Sequence, residues 1–145
     1  MQALTDMPRV SPSAWRASPV LVRWLISARA SVLVMTFSAA ALGGLLTISE
    51  PGWSLVAWLV CTTGLLLAHA ANNQLNDLTD SIRGIDEGNY FRLQYGAHVL
   101  EDGLLSRRGL VLYMGITGGL AAACGIWLVL TVGSGLLLPF LLGSL

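Results

Sequence analysis

Trp53 to Ala71 reads WSLVAWLVCTTGLLLAHAA, a run without a single Asp, Glu, Lys or Arg. The chain then continues Asn72-Asn73-Gln74-Leu75-Asn76-Asp77-Leu78-Thr79-Asp80-Ser81-Ile82-Arg83 with no helix breaker before Gly84. At ~1.5 Å per residue, an apolar helix of this length crosses most of a ~30 Å hydrocarbon core. The polar residues that follow it then sit at the membrane boundary. Working outward, a first apolar run extends from Trp24 to Ile48, broken only by Arg29 and small hydroxyl residues, and is expected to form one span. Glu50-Pro51-Gly52 between the two runs is a turn signal. A third run, from Gly109 to about Val132, is rich in Gly and Ala, which suits close helix packing in lipid. Gly133-Ser134-Gly135 interrupts it, and Leu136 to Leu145 begins a fourth apolar stretch too short to span.

Composition agrees with this pattern. The 145 residues are 54% hydrophobic and 11% charged, with a mean hydropathy of +0.69. A soluble domain carries about 25% charged residues, so this chain lacks the polar surface for a soluble globular fold. The fold class expected is all-α: a polytopic membrane helix bundle with about three transmembrane helices and a truncated fourth. Residues 1–18 are polar and contain Pro8 and Pro12, and read as a mobile leader; 19–145 form the helical domain. No secretory signal is apparent, because a polar stretch precedes a first run too long for an h-region. Cys61 and Cys124 lie inside apolar runs without metal-ligand spacing, and read as small buried residues.

Charge placement sets the topology. The net charge is zero, which gives no signal for nucleic acid. All eight basic residues are Arg, confined to Arg9, Arg16, Arg23 and Arg29 near the N-terminus and to Arg83, Arg92, Arg107 and Arg108 in the centre. A chain entering from inside to outside places every one of them on the cytoplasmic face, together with the 72–108 segment. The expectation is a multi-pass cell-membrane protein with a cytoplasmic N-terminus.

On a helix, Asn73, Asn76, Asp77 and Asp80 are related by steps of three and four and share a face. Two carboxylates and two amides at a membrane boundary suit Mg²⁺, which takes one or two carboxylates and completes its shell with water and phosphates. Carboxylates near lipid are costly unless paired or facing a polar cavity. Arg83, one turn on, could pair with Asp80 or reach a phosphate. The plain alternative is a polar helix end closed by Gly84, structural or bound to an assembly partner. A cation site in a transporter-like fragment is a further one. His69 and His98 read as packed or solvated residues, Trp24 and Trp53 as interface anchors, and Gly118, Gly119 and Gly125 as packing residues. Tyr90, Phe91 and Tyr95 are either a cap over the site or a surface loop.

Asn76-Asp77-x-x-Asp80 followed by Arg83-Gly84-x-Asp86 resembles the first aspartate-rich motif of the UbiA-type intramembrane prenyltransferases. The Gly-x-Asp variant is most similar to the branch that prenylates 1,4-dihydroxy-2-naphthoate in menaquinone synthesis. Val99-Leu100-Glu101-Asp102-Gly103-Leu104-Leu105-Ser106 resembles the loop entering that family's third helix, and Arg29 resembles a basic residue early in its first. The resemblance runs from about residue 24 to the end. It implies Mg²⁺ held by Asp77, Asp80 and Asn73 against a polyprenyl diphosphate, with Asp77 and Asp80 catalytic. Asn73, Asn76, Arg83 and Arg92 would bind the diphosphate, and an aromatic quinone precursor would accept the prenyl group. Family members have about nine helices and a second acidic motif. The resemblance therefore implies that this chain holds the donor-diphosphate half-site, completed by C-terminal helices missing here or by self-association. The alcohol phosphotransferases that also use intramembrane aspartates carry a longer Asp-Gly…Ala-Arg…Gly pattern that is missing here.

Overall fold

The structure, a computed structural model, describes residues 10–84 and 98–137. In chain order the elements are α1 (Pro12–Ala17), α2 (Val20–Ser27), a 3₁₀ turn (Ala30–Val32), α3 (Leu33–Thr47), α4 (Leu55–Arg83), α5 (Arg107–Val132) and a second 3₁₀ turn (Ser134–Leu136). Three stretches are long and apolar enough to cross a membrane: Ala30–Thr47, Leu55–Arg83 and Arg107–Val132. No strand occurs among the described residues, so the all-α, multi-span reading holds.

Local chemistry explains where the long helices start and stop. Ser54 and Ser106 cap α4 and α5, their side chains accepting from Ala57 N–H at 3.3 Å and Gly109 N–H at 3.1 Å. Gly84 ends α4 in the left-handed conformation, φ 66°, which glycine adopts without steric cost. The Glu50-Pro51-Gly52 turn joins α3 to α4 through Glu50 N–H to Thr47 C=O at 2.9 Å.

α4 packs most extensively on α5, closest where Gly64 meets Cys124: a Cβ on Gly64 would lie 3.0 Å from the Cys124 Cβ. Gly118 faces Ala71, whereas Gly119 has no neighbour for a Cβ to meet, so it takes no part in the packing expected of it. On α3, the Trp58 indole lies across Gly44 and donates to the Ala40 carbonyl at 2.9 Å.

Four expectations are corrected. Cys61, expected to be buried, is exposed. The first apolar run is not one helix from Trp24 to Ile48. Arg29 is left-handed (φ 51°, ψ 54°), and it separates α2 from the span that begins at Ala30. The leader is not mobile over residues 10–18. Ser11 caps α1, and Trp15, 4% exposed, is buried with Ile26, Val99, Leu104 and Leu110. Trp24 is not simply an interface anchor, because its Nε1–H donates to Thr117 Oγ1 on α5 at 2.7 Å.

That five-residue cluster lies at the end of the bundle where the arginines gather. Within lipid the helices gain nothing by hiding apolar surface from water. Most of each span's side chains accordingly face outward; only 17%, 11% and 11% of the three apolar windows are buried. Trp15 and its partners, by contrast, pack into one buried apolar cluster. Residues 138–145, which contain most of the fourth apolar stretch, lie outside the described residues.

Candidate functional site

The break at Arg29 brings α2 against the polar end of α4. Holding a non-glycine residue left-handed costs on the order of 1–2 kcal/mol, and the side chains around the break offset it. Ala28 C=O, exposed by the break, accepts from Asn73 Nδ2 at 2.9 Å. Ser27 Oγ gives its proton to Trp24 C=O at 2.9 Å and accepts from Gln74 Nε2 at 3.1 Å. The Arg29 guanidinium forms an ion pair with Asp77. Three consecutive residues of the break, Ser27, Ala28 and Arg29, thus meet three residues within little more than one turn of α4: Gln74, Asn73 and Asp77.

This contact sorts the predicted site residues. Asp77 turns inward and is 5% exposed. Asn73 and Asp80 are half-buried on its flank, while Asn76 and Arg83 are exposed. The face read from the helical steps is therefore split, with Asn73, Asp77 and Asp80 kept together and Asn76 turned away from the α2 contact. Arg92 lies outside the described residues, as do Asp86, Tyr90, Phe91 and Tyr95.

Gln74 was not anticipated. It is wholly buried, and because its amide nitrogen is committed to Ser27, its Oε1 stays inside with no hydrogen-bond partner among the described residues. The signal was in the sequence: Gln74 lies three residues before Asp77, next to it on the helix surface. Arg29 gains a definite position as the cation facing Asp77.

The two histidines are structural. His69 Nδ1 is 2.6 Å from Thr36 Oγ1, a link between α3 and α4. His98 is buried at the head of the 98–106 turn, where its N–H donates to Asp102 Oδ2 at 3.0 Å. Val99 C=O in the same turn accepts from both Leu104 N–H and Leu105 N–H, and Gly103 is left-handed. The Val99–Ser106 segment is thus a compact entry to α5 that seats Val99 and Leu104 under Trp15.

Among the described residues no group of three or more His, Cys, Asp or Glu side chains converges. The donors near Asp77 are two carboxylates plus the amide oxygens of Asn73 and Gln74. This all-oxygen set fits a hard cation that keeps part of its shell for water or phosphate, and does not fit zinc. The more open grooves lie at the other end of the bundle, lined by Thr47, Trp53, Trp58, Cys61, Leu128 and Val132, with no charged residue. Comparison with protein-family models, with characterised proteins and with solved structures returns no match to this chain.

Proposed function

We propose that this chain holds the donor-diphosphate half of a Mg²⁺-dependent prenyl-transfer site of the UbiA type. The donor is a polyprenyl diphosphate, and the acceptor an aromatic quinone precursor of the 1,4-dihydroxy-2-naphthoate kind. One observation carries most of the support: Asp77, Asp80 and Asn73 stay together at the polar end of a membrane-length helix, with Arg29 facing them and Arg83 exposed one turn beyond. Asp77, Asp80 and the Asn73 amide oxygen would hold Mg²⁺, which supplies charge neutralisation for the departing diphosphate. Arg29 pairs with the buried Asp77 carboxylate and holds its orientation. Arg83, open to solvent, is placed to receive a phosphate oxygen. The cytoplasmic placement of the N-terminus and of 72–108 belongs to the same proposal and rests on the arginine distribution.

The Arg29–Asp77 pair also favours a second reading, in which the acidic helix end exists to hold the break in the first span and the chain is a non-catalytic membrane protein. Calorimetric titration of the purified chain with geranylgeranyl diphosphate, with and without Mg²⁺, separates the two. Mg²⁺-dependent binding that weakens in Asp80→Asn supports the donor site. Absence of binding by a folded chain leaves the structural reading.

A further inference from the structure

We propose that α2 is an interfacial helix, lying along the membrane surface with an apolar face in the acyl–headgroup boundary and the nearby arginines engaging anionic phospholipid headgroups. This does not depend on the prenyl-transfer reading. At 100° per residue, Val22, Arg23, Ile26 and Ser27 fall on one side of α2, and Val20, Leu21, Trp24 and Leu25 on the other. The first side is the protein side: Ile26 and Ser27 are buried, and Val22 packs on the Trp15 cluster. The opposite arc has no charge; Val20 and Leu21 on it are 64% and 65% exposed, while Trp24 reaches back to the protein through Thr117.

Depth follows from the partners. On α5 the helix meets Thr117 and shares a cluster with Leu110, about two turns apart, and on α4 it bonds Gln74. Counted from Leu55, ~30 Å of helix ends close to Gln74, so this band coincides with the edge of the hydrocarbon. An uncharged arc at that depth meets lipid at the level where amphipathic helices rest.

The charge around α2 identifies the lipid. Arg16, Arg83, Arg107 and Arg108 are exposed at this end, and none forms an ion pair among the described residues, where Arg29–Asp77 is the only one. Arg107 and Arg108 open α5, whose first turn has no acidic residue, so the positive end of the helix dipole opposes them. A layer of anionic headgroups removes that conflict. Arg23 is spent internally, donating to Ser18 C=O at 2.9 Å and Arg16 C=O at 3.3 Å, which fixes the α1–α2 corner.

The test uses the full chain in nanodiscs of phosphatidylcholine alone or with phosphatidylglycerol, in a Cys61→Ser/Cys124→Ala background. Spin labels at Val20→Cys and Leu21→Cys should relax with dissolved oxygen more than with a water-soluble nickel chelate, at a depth of about 5–10 Å below the phosphates. Labels open to the nickel reagent, or shielded from both reagents by a second copy or another protein, overturn the proposal. Native mass spectrometry should find phosphatidylglycerol retained over phosphatidylcholine, with retention about fivefold weaker for each of Arg107→Gln and Arg108→Gln. Equal retention of the two lipids by the parent chain, or unchanged retention in Arg107→Gln/Arg108→Gln, refutes the headgroup assignment.

Discussion

The guanidinium of Arg29, at the break in the first span, rests on the buried carboxylate of Asp77, 48 residues later in the chain. Removing the cation takes the ion-pair partner from a carboxylate that is 5% exposed, whereas removing the carboxylate leaves a cation that is 31% exposed. Arg29→Ala should therefore destabilise more than Asp77→Asn. We expect a loss of roughly 2–3 kcal/mol, less than for a fully enclosed pair because water reaches Arg29. The double variant should recover part of it. Thermal unfolding in detergent measures all three, and additive losses would show that the pair is not coupled.

Asn73 presents a different balance. Its side-chain N–H satisfies the Ala28 carbonyl at 2.9 Å, which no α2 residue satisfies once the helix has broken. Asn73→Leu should cost about 1–3 kcal/mol through the abandoned carbonyl. Asn73→Asp should cost at least as much, since a carboxylate would face an oxygen. Stability of the Asp variant equal to the parent would mean that the break is held elsewhere.

Asp80 separates binding from folding. It is half-buried on the flank of the α2 contact, and the melting temperature of Asp80→Asn reads its share in folding separately from binding. In the donor-site reading the substitution weakens Mg²⁺-dependent diphosphate binding by about tenfold or more, as expected when a cation loses one of one or two carboxylates. Asn76→Ala, altering an exposed side chain turned from the α2 contact, should affect binding much less. Equal losses for both variants would restore the undivided polar face.

The glycine pair on α3 offers an internal control. A Cβ at Gly44 would collide with the Trp58 indole, while one at Gly43 meets nothing within 4 Å. Gly44→Ala should destabilise by about 1–3 kcal/mol, and Gly43→Ala should be neutral or slightly stabilising. Combining Gly44→Ala with Trp58→Leu should restore part of the loss. A harmless Gly44→Ala would mean that the α3–α4 contact is looser than the indole position implies.

How much of this was legible depended on which physical signal each feature leaves in the residues. Hydropathy finds the spans because each is a continuous apolar run, and Glu50-Pro51-Gly52 and Gly84 mark boundaries through backbone chemistry of their own. The break at Arg29 leaves no such mark. It lacks Gly and Pro and lies inside an apolar run, and its left-handed backbone is held by Asn73, Gln74 and Asp77 from another helix. Trp15 escaped for a similar reason, since its burial depends on Val99, Leu104 and Leu110, far along the chain. At the site, steps of three and four put Asn73, Asn76, Asp77 and Asp80 on one arc of the helix, but they do not say where a neighbour will land. α2 lands on the side of Gln74 and Asp77, which centres the buried face there and leaves Asn76 outside.

The long sequence distance across the break has a consequence for the order of events during synthesis. Every side chain that braces Ser27, Ala28 and Arg29 from α4 belongs to residues 73–77. Until those residues have left the ribosome, the apolar segment from Trp24 to Ile48 has no external reason to turn at Arg29 and every local reason to remain one helix. The contacts that brace the turn at Arg29 therefore become available only when the second helix arrives.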